Sequence, residues 1–172
     1  MRRDPATTAD AETGRTVSAW DVALRLLGVR ARSRHEMRER LLRRGFDDDV
    51  VNDVMARLDR AGLLDDTDFA SEWVRSRHSH SGRGRIALKQ ELRSKGIDTE
   101  VIDEALAGID PDAERANAVT IANKKLATMD VDLTDRADRD KAFRRLAGML
   151  SRRGYDQSTV IEVVGEVLRT AT

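Results

Sequence analysis

Arg44-Gly45-Phe46-Asp47 is followed by apolar residues at Val51, Val54, Met55 and Leu58, and the chain repeats that pattern twice more. Lys95-Gly96-Ile97-Asp98 leads to Ile102, Ala105, Leu106 and Ile109. Arg153-Gly154-Tyr155-Asp156 leads to Val160, Val163, Val164 and Val167. Offsets of i, i+3, i+4 and i+7 put each apolar set on one face of an α-helix. Upstream, Met37 and Leu41, Leu88 and Leu92, and Leu146 and Leu150 hold matching places before the three glycines. The repeating element is therefore a helix–turn–helix hairpin. Its glycine ends one helix in the left-handed conformation, and its aspartate opens the next. A further helix before each hairpin completes a unit, so the reading is all-α, with three tandem three-helix repeats in an elongated, curved array. A small unit that cannot bury its apolar face alone stacks on its neighbours and displays a long surface. That architecture points to binding before any chemistry is considered.

Outward from the glycines, the boundaries fall at 1–17 (a disordered N-terminal tail), 18–63, 64–109 and 110–172, the last carrying an acidic loop at 130–138. Trp20, Leu24 and Leu27 are expected on the buried face of the first helix. Ser33-Arg34-His35-Glu36 has the form of a capping box opening the second. Gly62 closes the third helix, and Leu63 and Leu64 are expected to plug the joint to the next unit. Asp65-Asp66-Thr67-Asp68 makes an acidic first turn, His78 to Gly84 reads as a polar break, and Pro111 suits a first helical position.

Composition narrows the function. The chain has no cysteine, which removes disulfides, thiolate metal sites and thiol nucleophiles and suits a reducing cytoplasm. No apolar run is long enough to cross a membrane. Asp65, Asp66 and Asp68 do not form an EF-hand loop, because Ala70 stands where the glycine is needed. His78 and His80 lack a third ligand nearby in sequence, and Gly82-Arg83-Gly84-Arg85 lacks the strand and the lysine of a phosphate-binding loop. No nucleophilic triad motif is present. The chain is expected to be neither an enzyme nor a cofactor or metal carrier.

The formal net charge is zero, yet the charge is segregated. Arg30 to Arg44 carries seven arginines against two glutamates, whereas Ile97 to Glu114 carries seven acids and no base. Each unit thus has a basic helix followed by an acidic one. Either helices of opposite sign neutralise one another, or the basic helices align as a stripe for a polyanion. The helix after each glycine turn is acidic, which argues against a helix-turn-helix reader entering a DNA groove.

The order Ser33-Arg34-His35-Glu36-Met37, Gly62-Leu63-Leu64-Asp65-Asp66-Thr67-Asp68-Phe69-Ala70, Gly82 to Gly84, Lys95-Gly96-Ile97 and Arg153-Gly154-Tyr155 resembles the RecX family of bacterial RecA regulators. The resemblance runs from about residue 20 to residue 168. It implies a non-enzymatic inhibitor that binds in the groove of the RecA filament on single-stranded DNA. It also implies suppression of ATP hydrolysis, strand exchange and co-protease activity. With it goes an expectation of a cytoplasmic monomer in the SOS response and homologous recombination. The contact is expected from Arg34, Arg38, Arg43, Arg44, Arg85, Lys89, Arg93 and Lys95, extended by Arg144, Arg145, Arg152 and Arg153, with possible direct contact to the DNA backbone. The alternative is a helical module that contacts phosphates without RecA.

Overall fold

In the computed structural model, residues 7–9 and 16–171 are described. Nine helices follow one another among them: α1 (Ala19–Val29), α2 (Arg34–Leu42), α3 (Asp48–Arg60), α4 (Asp66–Ser81), α5 (Arg85–Ser94), α6 (Thr99–Ala107), α7 (Pro111–Leu126), α8 (Arg136–Arg152) and α9 (Gln157–Thr170). Within the expected tail, β1 (Thr7–Ala9) pairs antiparallel with β2 (Thr16–Ser18), Thr8 opposite Val17. The remainder of that tail lies outside the described residues.

Three separate apolar clusters hold the chain together, one each for α1–α3, α4–α6 and α7–α9. At the centre of each are the two residues that the spacing singled out on the second helix. Met37, Leu41, Leu88, Leu92, Leu146 and Leu150 are all 0% exposed. Burying a side chain of this size contributes roughly 1.5–3 kcal/mol. The glycine turns close in the same way three times. The N–H groups of Phe46, Ile97 and Tyr155 donate back to the carbonyls of Leu41, Leu92 and Leu150, with φ of +84°, +70° and +87° at the intervening glycines. This is the Schellman closure that an L-residue with a Cβ adopts only under strain.

Local expectations fare unevenly. Asp65 caps α4 through the N–H groups of Thr67 and Asp68, and Pro111 opens α7 after Asp110. Leu24 is on the exposed side of α1, which buries Ala19, Val22 and Ala23 instead. Trp20 is half-buried under the Arg57 guanidinium, 3.7 Å from its ring centre. Of the expected plug, Leu64 is buried and Leu63 is exposed. The supposed break at 78–84 is mostly helix. α4 continues to Ser81 and stops at Gly82, whose φ is +58°. Ser79 and His80 are polar because they lie on the outside of a continuing helix, whereas His78 and Ser81 are half-buried and accept hydrogen bonds at their carbonyls from Asn117 and Arg153.

Successive units meet at two joints of one design. At the first, the Ser33 hydroxyl donates to the Lys95 carbonyl (2.6 Å), and Lys95 Nζ lies 2.7 Å from Glu36. At the second, the N–H groups of Gly84 and Ile86 donate to the carbonyls of Arg153 (2.9 Å) and Gly154 (3.0 Å). The C-terminal turn of α8 thus seats on the start of α5, and that of α5 on the start of α2. Backbone N–H groups meet backbone carbonyls at the second joint and the Ser33 hydroxyl takes that part at the first, so at both a carbonyl that a helix end otherwise leaves unpaired is satisfied.

Candidate functional site

The basic residues divide into two classes according to what surrounds them. Arg34 and Arg85 fasten the joints. Arg34 Nε donates to Asp59 (2.9 Å) and its guanidinium to the Leu64 carbonyl (3.2 Å), while its backbone N–H donates to Asp66 (2.9 Å). Arg85 repeats the arrangement one unit later, with Nε on Glu114 (2.8 Å), the guanidinium on the Ile109 carbonyl and the backbone N–H on Glu114 (3.0 Å). In the third unit the equivalent place holds Phe143, which makes no such contact.

Other expected contact residues also have internal partners. Arg38 reaches Asn52 (2.6 Å) and Asp48 (3.1 Å), Arg43 pairs with Glu39 (3.2 Å), and Lys89 pairs with Asp103 (2.7 Å). Lys95, besides pairing with Glu36, stands over the Trp73 ring. Arg153 donates to the Ser81 carbonyl at 2.7 Å. In the first two units, basic and acidic helices therefore neutralise one another to a large extent, the milder of the two readings of the charge pattern.

Glu36 illustrates how tightly such a pair can be held. The expected capping box is only half formed, since Ser33 Oγ accepts the Glu36 N–H (3.1 Å) but the carboxylate turns away to Arg30 and Lys95. Burial opposes its charge, yet the hydrogen bonds and charges of Arg30 and Lys95 outweigh burial and lower its pKa to about 2.

Of the twelve expected contact residues, Arg44, Arg93, Arg144, Arg145, Arg152 and Arg153 form no ion pair among the described residues. Three of these six lie together. Arg144, Arg145 and Arg152 on α8 line a groove of about 550 Å³ with Lys141, Met149 and Lys125 of α7. Lys141 alone among its cations has a carboxylate nearby, Asp138 at 3.7 Å. An adjoining groove shares Lys125 and Met149, adds Lys124, and extends toward the end of α4. Lys124 and Lys125 were absent from the sequence-derived contact set. Their signal was a Lys-Lys pair in the last turn of α7, a place where cations also complement the helix dipole. Unpaired guanidinium and ammonium groups around an open groove suit phosphate oxygens, which arginine can bind in a bidentate fashion.

Known proteins match this frame. Two family models coincide with the first two units, "RecX, first three-helix domain" over residues 19–58 and "RecX, second three-helix domain" over residues 65–106. The "Regulatory protein RecX" of Mycolicibacterium vanbaalenii is 49% identical over 162 residues, covering 94% of this chain and 88% of that protein. This chain belongs to the RecX family. The RecX regulatory protein of Mycolicibacterium smegmatis is 48% identical over 169 residues, covering 95% of this chain and 89% of its own. The fold has a solved counterpart in the crystal structure of RecX from Lactobacillus salivarius. The TM-score is 0.71 at 20% identity, over 87% of this chain and 94% of that one. RecX membership thus agrees with the all-α repeat architecture read from the glycine turns.

Proposed function

We propose that this RecX-family chain is a non-enzymatic inhibitor of the RecA recombinase. It seats in the groove of the RecA filament on single-stranded DNA and suppresses ATP hydrolysis, strand exchange and co-protease activity. The family membership supports the regulatory role, and the observation that carries the mode of contact is the groove of unpaired cations between α7 and α8. Arg144, Arg145 and Arg152, with Lys124 and Lys125, contact the phosphate backbone there. Arg34, Arg85 and Lys95 act instead by holding the three units in register, so that the groove and the other surfaces meet one filament together. The protein acts as a cytoplasmic monomer.

The test is single-stranded-DNA-dependent ATP hydrolysis by the cognate RecA as this protein is titrated in. Inhibition by the wild type that is weakened several-fold in an Arg144→Glu, Arg145→Glu variant supports the reading. Unchanged ATP hydrolysis at a molar excess of wild type would overturn it. The same cationic groove favours one alternative, a module that contacts DNA phosphates without RecA. Tight binding to bare single strands with no effect on the recombinase would establish that alternative.

A further inference from the structure

The turn that seals each joint occurs three times, and among the described residues two copies are filled. Lys95-Gly96-Ile97 seats on the start of α2, where a Cβ added to Gly96 would collide with the His35 side chain. Arg153-Gly154-Tyr155 seats on the start of α5, where a Cβ on Gly154 would collide with the backbone of Ala87. The second is an approach of backbone to backbone, the first of backbone to side chain, and both leave no room for a Cβ. Arg44-Gly45-Phe46 has the same left-handed glycine and the same closing hydrogen bond, Phe46 N–H to the Leu41 carbonyl. Yet nothing among the described residues lies within 4 Å of a Cβ built on Gly45. Arg44 is exposed and forms no ion pair there, whereas its counterpart Lys95 holds Glu36 across the first joint.

We propose that Arg44-Gly45-Phe46 is a docking point for the first turn of an α-helix of a protein partner. That helix would be capped by serine or glycine and carry a carboxylate near its third position. The chemistry is drawn from the filled copies. In them this turn receives a helix start capped by Ser33 or Gly84, and at the first joint the incoming Glu36 meets the basic residue that precedes the glycine. The free carbonyls and negative dipole end of α2 complement the N–H groups of such a start. In a second copy of this chain the α1 start also has a serine cap, Ser18, and a carboxylate at the third position, Asp21, but it continues directly from β2, where Ser18 is paired with Thr7. The α2 and α5 starts of that copy are covered by the following unit, and α8 begins further upstream, at Arg136, with Ala142 and Phe143 inside the helix where the other units have their caps. The inference rests on the proposed role of the protein as a binder of a recombinase filament, and it names the point at which protein meets protein there.

The probe is the cognate RecA filament assembled on single-stranded DNA with a non-hydrolysable nucleotide. Gly45→Asn suits the test because asparagine tolerates the left-handed region and the space around Gly45 is open, so the fold survives. Gly45→Asn is expected to weaken filament binding by about tenfold or more, with bare single-strand binding changed by less than about twofold. Arg44→Glu should weaken filament binding in the same direction. Filament binding by Gly45→Asn equal to that of the wild type would overturn the docking point while leaving the proposed function standing. Absence of wild-type binding to the filament would remove both. A wild-type dimer dissolved by Gly45→Asn would put a second copy on the turn. Release of residues 1–15 to protease in the free Gly45→Asn chain would put this chain's own tail there, and either result would overturn the proposal.

Discussion

Whether a basic side chain is available to a partner is decided by its neighbours, not by its place in a basic run. Arg38 and Arg144 belong to equally basic stretches, but Arg38 faces Asp48 and Asn52 across a hairpin while Arg144 faces a groove lined by other cations. Glu36 shows the same dependence from the acidic side, and its protonation has a signed consequence. Its folded pKa of about 2 lies below the ordinary 4.5, so the joint it makes with Lys95 contributes fully above pH 4.5 and loses that contribution as pH falls toward 2. Glu36→Gln should therefore lower the melting temperature near neutral pH, and the gap to wild type should close across this acid range. A gap that stays constant down to about pH 2 would mean that the carboxylate's charge does not stabilise the joint.

The second helix of each unit does two jobs. Its apolar pair sits in the unit's core, and its C-terminal turn makes, or at α2 leaves open, a joint. The core job was legible in the sequence, because helical spacing names the face that must be buried. The joint was not, because the glycine at the turn reads as a helix stop in all three copies. Only the structure distinguishes a glycine required by conformation alone from one required also by contact. Substitution by alanine separates the two. All three positions incur the left-handed strain, roughly 1–2 kcal/mol. Gly154→Ala should add about 1–3 kcal/mol more, since Ala87 meets it with backbone. Gly96→Ala should fall between, since His35 can partly withdraw its side chain. Urea unfolding should rank the losses as Gly154, then Gly96, then Gly45. Equal losses at all three would show that the close approaches add nothing to stability.

At the scale of the whole molecule, two joints hold three small cores in one array, and the net charge of zero hides an uneven distribution of unpaired cations. If the α7–α8 groove is the phosphate contact, its arginines should dominate the salt dependence of single-strand binding. Each phosphate contact on a single strand contributes about 0.7 to the slope of log affinity against log salt, so losing Arg144 and Arg145 should reduce it by about 1.4. An equal reduction from Arg38→Ala with Lys89→Ala would place the contact on the first two units instead. Local pattern alone determined the helices, the three-fold repeat, the core pairs and the glycine stops, because helical periodicity and capping depend on residues within a turn or two of each other. The tertiary structure decided which charges are spent internally and which are left over. Arg34 meets Asp66 and Arg85 meets Glu114 across unit boundaries, Arg38 meets Asp48 around a turn, and among the described residues no such acidic partner reaches Arg144, Arg145 or Arg152 on α8. Charge pairing is a through-space interaction that weakens with distance, and distances across a joint are set by how the units pack, which no local pattern encodes.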